Sequence, residues 1–423
     1  MRPRREVLES GLRVITVPVR DARTVTAIVF VAAGSKYETV RTNGISHFLE
    51  HLCFKGTERY PSALALSHAF DELGAENNAF TAEEYTGYYA KADPRHLEAI
   101  LALVADVYLN ATLPAPDIER ERGVVTEEIN LYSDQPTWHA EDLITDLLYG
   151  DQPAGWEVLG TKENIRSLSR DDIVRYRKAH YVGSGTTVVV VGDVAPASVT
   201  RKVRELFGGI SREPKAPKPR VVERQRAPKV GVRYRKTDQA HLVFGMRTVP
   251  FSHRDVWPLA LLATVLGSGM SSRLFTRLRE ELGLCYYVSA SHRLFTDHGY
   301  LAIRAGVTKR RVAEVIREVT TIVRSLREEL VPARELEKAK SHHTGAMYLS
   351  LETTDALAWS YGVAELLGRG AVLTPAARAR RIRSVTAPDI RRVARRYLTD
   401  ERLNLAVVGP YRDAHAFERV LHL

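Results

Sequence analysis

A helix, an apolar strand and a closing glycine occur twice in this sequence at one fixed offset, and that repeat constrains the fold more than any other feature. Ser167-Leu168-Ser169-Arg170-Asp171-Asp172-Ile173 opens a helical stretch that ends near Tyr181, and the strand Thr187 to Val191 follows and closes on Gly192. Ser384-Val385-Thr386-Ala387-Pro388-Asp389-Ile390 opens the same order of elements, with Tyr397, the strand Leu403 to Val408, and Gly409. Ile173 to Ile390 and Gly192 to Gly409 are both steps of 217 residues. Each half also begins with an extended segment, Thr24 to Val31 and His241 to Met246, before apolar helices and a polar hairpin. Self-similarity at a fixed spacing marks a duplicated structural unit. A chain of 423 residues is in any case too long for one ordinary core.

Between the halves, Arg212 to Lys229 holds Pro214, Pro217, Pro219 and Pro228 among charged residues, the composition of a semi-extended linker. The expected organisation is therefore an N-terminal domain over 1–211, a linker over 212–229 and a homologous C-terminal domain over 230–423. Strands and helices alternate irregularly, with hairpin-like segments, so the fold class is α+β: two homologous α/β-sandwich domains rather than a doubly wound sheet.

Several classes are excluded at once. Apolar runs such as Thr187 to Val191 and Ala99 to Ala105 fall far below the roughly 18 residues that a membrane span needs, so a soluble protein without a membrane partner is expected. Two cysteines, Cys53 and Cys285, cannot form a disulfide framework, and a reducing compartment fits. Met1-Arg2-Pro3-Arg4-Arg5 has no apolar stretch behind it, so no export signal is expected and the location reads as cytoplasmic. The net charge of +10 is read as dispersed in mixed-sign stretches such as Glu119-Arg120-Glu121-Arg122, and no nucleic-acid partner is expected.

His47-Phe48-Leu49-Glu50-His51 lies between Asn43-Gly44 and Gly56, both plausible helix punctuation. On a helix, positions 47, 50 and 51 share one face, while Phe48, Leu49 and Leu52 can bury. Two imidazoles one turn apart can grip a zinc ion, and a carboxylate one residue before the second is placed to deprotonate a water on the metal. Two His and an acid in this spacing arise by chance about 0.05 times per chain of this composition, so context must decide. A catalytic zinc needs a third protein ligand. Downstream, Asp117 can cap a helix on which Glu121 and Glu128 stand two turns apart beside residues of core character. Either carboxylate could be the third ligand and the other its support.

With Phe54-Lys55-Gly56-Thr57 behind it, the His47 to His51 segment resembles the inverted zinc motif of the pitrilysin/insulinase-type metallopeptidases, which include the mitochondrial processing peptidase. Glu121-Arg122, Val125 and Glu128 are similar to that family's downstream helix. The resemblance puts the third ligand on Glu128 and the supporting acid on Glu121, with adjacent Glu127 the competing register. Asn78-Ala79-Phe80-Thr81, then Glu84, Thr86 and Tyr88, looks like the hairpin whose edge strand pairs with substrate backbone, which implicates Asn78 and Ala79. Leu266-Gly267-Ser268-Gly269-Met270-Ser271-Ser272-Arg273-Leu274-Phe275, followed by Arg279 and Tyr286, resembles the C-terminal domain signature, and no second His-x-x-Glu-His accompanies it. By the same resemblance Tyr286, or its neighbour Tyr287, stabilises the developing oxyanion, and Arg279 fixes a substrate carbonyl.

The expected protein is a zinc-dependent metalloendopeptidase with one Zn2+ per chain, held by His47, His51 and Glu128, and with Glu50 as general base. The resemblance implies a closed chamber that admits peptides or unfolded segments. Because one chain carries both the metal ligands and the Arg279/Tyr286 pair, a homodimer is expected. The alternative is a non-catalytic or partner-dependent structural subunit of the same family.

Overall fold

The computed structural model describes residues 2–368, 370 and 372–423. In the first half of the chain the order is β1 (Arg4–Val7), β2 (Arg13–Pro18), β3 (Val25–Val31), α1 (Ile45–Cys53), α2 (Ala63–Asp71), β4 (Glu76–Thr81) and β5 (Thr86–Ala92). There follow α3 (Leu97–Asn110), α4 (Ala115–Ser133), α5 (Pro136–Tyr149), α6 (Lys162–Ser167), α7 (Arg170–His180), β6 (Thr186–Gly192) and α8 (Pro196–Leu206). The second half opens with β7 (Lys229–Tyr234), β8 (Gln239–Arg247), α9 (Val256–Gly267), a π-helical segment (Phe275–Glu281), β9 (Cys285–Leu294) and β10 (Gly299–Thr308). It ends with α10 (Val312–Glu328), α11 (Ala333–Leu349), α12 (Thr354–Gly368), α13 (Pro375–Arg383), α14 (Ala387–Tyr397), β11 (Leu403–Gly409) and α15 (His415–Glu418).

The duplication is visible in the sheet topology. One sheet runs β1-β2-β6-β3-β5-β4 and the other β7-β11-β8-β10-β9. Apart from the extra edge strand β1, each strand of the first sheet has its counterpart at the same place in the second, including one parallel pair each, β2 with β6 and β7 with β11. At the 217-residue offset, β6 maps onto β11 and α7 onto α14 residue for residue. Both of those helices start from the same local chemistry. Ser169 and Asp172 form a reciprocal capping box, as do Thr386 and Asp389, so two of the orphan amide donors at each helix start are satisfied by side chains.

The compact units do not follow the two halves of the chain. The first unit comprises Met1–Asn130, Glu157–Pro219 and Leu349–Thr374, and the second Leu131–Trp156, Arg220–Tyr348 and Pro375–Leu423. Relative to the expected boundaries at 211 and 230, α5 of the first half thus belongs to the second unit, and its counterpart α12 belongs to the first. The physical reason lies in the sheets. In β3, Ala27, Val29 and Val31 face a core shared with Phe48 and Leu49 of α1 and Ile100 and Val104 of α3. Alternate residues Ile28 and Phe30 face the other side, where Leu357, Ala358 and Tyr361 of α12 cover them. A strand buried on both faces reads as a continuous apolar run, which is why β6 is Val-rich throughout. In the second unit, Ile144 and Leu148 of α5 pack in the same manner with Val243, Ala406 and Val408.

One glycine shows how close α12 lies. A Cβ on Gly362 would stand 2.1 Å from the Phe30 ring, whereas one on Gly345 in α11 would meet nothing within 4 Å. Replacing a mid-helix glycine by alanine gains about 0.5–1 kcal/mol of helix stability, but overpacking a core costs about 1–3 kcal/mol. Gly345→Ala is therefore expected to raise the thermal midpoint and Gly362→Ala to lower it. Calorimetry of the two variants beside wild type checks the opposite signs; a Gly362→Ala protein as stable as wild type would contradict the packing described.

Candidate metal centre

Helix α1 carries the inverted motif, and its start is built to be rigid. Gly44 precedes it at φ 100°, a left-handed conformation that glycine adopts without strain. The Glu38 carboxylate accepts hydrogen bonds from the backbone amides of Gly44 (2.8 Å) and Ser46 (2.9 Å) and from the Asn43 side-chain amide (3.0 Å). Burial pushes the Glu38 carboxyl above its ordinary range, and these hydrogen bonds oppose that shift. Phe48, Leu49 and Leu52 are fully buried in the first core, which turns His47, Glu50 and His51 to the opposite side.

Helix α4 supplies the carboxylates. Ile118, Glu121, Val125 and Ile129 form its buried stripe, so Glu121 occupies a core position and needs partners. It has two: Lys55 Nζ donates to Oε1 at 2.7 Å, and His51 Nδ1 lies 3.2 Å from Oε2. Two turns on, Glu128 Oε2 stands 3.5 Å from His47 Nε2 and 3.4 Å from His51 Nε2. The neighbouring Glu127 is exposed, so the helix itself decides between the two registers that the sequence left open.

These donors fit one metal ion. The ligand atoms of His47, His51 and Glu128 all lie within 4.8 Å of one another. With ligands about 2.0–2.2 Å from zinc, a tetrahedral arrangement separates neighbouring donor atoms by roughly 3.3–3.6 Å, the range of the two measured spacings. Two nitrogens and one carboxylate oxygen, with His51 and Glu128 partly open to solvent, are the donor chemistry of a site with a remaining open position. The electrostatics agree in direction. Burial and the charge of His51 push His47 down to about 4, so it is a neutral imidazole at physiological pH. His51 is also disfavoured as a cation by burial, but Glu128, Glu50 and Glu121 outweigh this and raise its pKa. A metal ion binds only the deprotonated imidazole, so binding is expected to weaken in acid, where His51 takes up a proton.

Glu50 stands outside the donor set. Thr81 Oγ1, at the end of β4, donates to its Oε2 at 2.6 Å, and burial raises the Glu50 pKa although this hydrogen bond opposes the shift. Asn78 and Ala79 lie in the same strand, paired with Tyr89 and Tyr88 of β5. Since β4 is last in its sheet, its outer edge carries no strand among the described residues. In the second unit, Tyr286 is 73% exposed on β9, and the Arg279 guanidinium lies 5.7 Å from its ring centre. Tyr287 points the other way, its hydroxyl 3.1 Å from His241 Nδ1, so Tyr286 is the tyrosine that faces solvent. Arg279 sits in the π-helical segment, a local irregularity often found at functional sites. Glu38, Lys55 and Thr81 were not assigned roles from the sequence; only the fold brings them to the motif.

Glu121 orients His51 without being one of the converging donors. Glu121→Gln is expected to weaken zinc affinity by about 10–100-fold, measured by competition with a chromophoric chelator. Unchanged affinity would leave Glu121 as a structural partner of Lys55 alone.

Comparison with known proteins supplies independent information. Residues 13–162 match the family model described as insulinase (peptidase family M16), and residues 167–342 match the model described as the peptidase M16 inactive domain. The chain is 36% identical to an uncharacterized zinc protease of Streptomyces coelicolor, covering 98% of this chain and 91% of that one. It is 31% identical to the mitochondrial-processing peptidase subunit beta of Lentinula edodes, over 95% and 89% of the two chains. Among solved structures, a protease from Helicobacter pylori shares the fold with a TM-score of 0.90 at 22% identity, covering 97% of this chain and 99% of that one.

Proposed function

This chain belongs to the insulinase family of peptidases, peptidase family M16, and from that premise we propose that it is a zinc-dependent metalloendopeptidase acting on peptides and unfolded polypeptide segments. The observation that carries the reading is the convergence of His47 Nε2, His51 Nε2 and Glu128 Oε2 with the partly buried Glu50 on the same helix. Relatives across almost the whole chain carry the name zinc protease, which supports the choice of metal.

Zinc held by those three donors supplies Lewis acidity, which makes water acidic near neutral pH and polarises a carbonyl oxygen. Glu50 takes the proton from the attacking water as its oxygen bonds to the scissile carbonyl carbon. As the C–N bond breaks, Glu50 returns that proton to the leaving amine, so the carboxylate is regenerated in each turnover. Its raised pKa suits both halves of this shuttle. The hydrogen bond from Thr81 restrains Oε2 and leaves Oε1 for the proton. The outer edge of β4, with Asn78 and Ala79, offers backbone groups that read an extended substrate without regard to its side chains. Arg279 and Tyr286 are assigned to the substrate carbonyl and the developing oxyanion.

One chain holds both residue sets, so a homodimer in the cytoplasm, enclosing its substrate, is the proposed working form. No helix among the described residues is long and apolar enough to cross a membrane. The inactive-domain match spans residues 167–342, outside the metal motif, and the insulinase match spans residues 13–162, which contain it. The converging donor set of His47, His51 and Glu128 within that stretch supports the enzyme over the non-catalytic subunit. Mass spectrometry of a mixed peptide library tests the proposal. Internal cleavage is expected with unstructured peptides and not with folded proteins; release of single terminal residues would make it an exopeptidase, and no products at all would favour the subunit.

A further inference from the structure

The excess positive charge is not spread over the molecule. The second unit contains 34 Lys and Arg against 22 Asp and Glu, while the first contains 27 against 29. Several arginines of the second unit are nevertheless paired: Arg273 with Glu335 (2.8 Å), Arg277 with Glu318 (2.8 Å) and Arg392 with Asp255 (2.9 Å). Three are not. Arg324, Arg327 and Arg395 form no ion pair among the described residues, and they line one cavity of about 470 Å³ together with Glu328 and Leu423.

Two of the three guanidiniums are held in place. Arg324 and Arg327 stand three apart near the end of α10 and so share a face. Arg324 Nη2 donates to the His422 carbonyl oxygen at 3.3 Å, and Arg395 Nε, from α14, donates to the Arg327 carbonyl oxygen at 2.7 Å. Each contact uses one N–H of a five-donor fork and leaves the rest. Arg327 Nε is itself buried with no hydrogen-bond partner among the described residues. Two preordered guanidiniums beside a third that has no ion pair among the described residues form an arrangement that an anion stabilises.

We propose that this cavity is a binding site for a phosphate chain, either free polyphosphate or the triphosphate tail of a nucleotide. Three guanidiniums outnumber the carboxylates beside them, that of Glu328 and the terminal one of Leu423, and guanidinium forks match phosphate oxygens bidentately. A cavity of about 470 Å³ exceeds what a single phosphate fills.

Calorimetric titration of the full-length protein with tripolyphosphate, ATP and inorganic phosphate, at about 150 mM salt to suppress diffuse attraction, tests the site. Saturable binding of one tripolyphosphate per chain is expected, weakened about tenfold or more in Arg327→Gln/Arg395→Gln. The same charge change at two exposed arginines outside the cavity, Arg380→Gln/Arg381→Gln, is expected to leave affinity within about twofold. Equal affinities for tripolyphosphate and ATP identify the free chain as the recognised group, and a marked preference for ATP identifies a nucleotide; both support the site. Equal losses in the two double variants, or no saturable binding to wild type, overturn it. If the cavity double variant fails to fold, the exposed Arg395→Gln alone carries the comparison.

Discussion

Glu50→Gln is expected to lower kcat/KM for an unstructured peptide by about 10²–10⁴-fold while zinc content stays at one per chain. The substitution keeps the size of the side chain and leaves an oxygen to accept the Thr81 hydrogen bond, so the helix and its neighbours are preserved. What disappears is the group proposed to remove a proton from water and hand it to the amine. Each tenfold loss is about 1.4 kcal/mol of transition-state stabilisation, so the expected range is about 2.7–5.5 kcal/mol. Because Glu50 is not one of the three converging donors, metal analysis of the same sample separates a chemical defect from a binding defect. Activity within a few-fold of wild type would remove Glu50 from the mechanism even if the zinc site stood.

The second large effect lies one residue from a null effect. Glu128→Gln removes the carboxylate that faces both imidazoles, at 3.5 and 3.4 Å, and should weaken zinc by more than the roughly 10–100-fold expected for an outer partner such as Glu121. It also leaves His51, whose raised pKa depends partly on that carboxylate, with less to hold its proton. Glu127→Gln changes the same charge at an exposed position and should leave both affinity and cleavage within about twofold of wild type. Isothermal titration of zinc into metal-free protein measures the pair. A reversed order would mean that α4 is rotated by one residue about its axis relative to the geometry described here.

The readable and unreadable parts of this protein divide along physical lines. The 217-residue offset is legible because capping boxes and buried strands are local: Ser169 with Asp172, and Thr386 with Asp389, write the helix starts, and the Val-rich run writes β6. The face shared by His47, Glu50 and His51 follows from helical period alone. The choice of Glu128 over Glu127 does not, because it depends on which face of α4 the core takes. The exchange of α5 and α12 is likewise silent in the sequence: both helices present apolar residues, but nothing in those residues names the sheet that receives them. The same is true of the charge. Read along the chain it looks dispersed in mixed-sign stretches, and only the assignment of segments to units shows that the surplus belongs to the second. Lys55 and Thr81 stand near the motif through a loop and an edge strand, contacts that no periodicity encodes.

The central claim is that a metal ion held by His47, His51 and Glu128 supports peptide hydrolysis by this chain. Its most direct test is the rate of peptide cleavage by protein stripped with a chelator, dialysed, and titrated back with zinc while bound metal is counted. The account predicts no cleavage in the stripped protein and recovery that rises in proportion to zinc and levels off at one ion per chain. Cleavage that persists in metal-free protein, or one zinc bound per chain with no cleavage recovered, would contradict it.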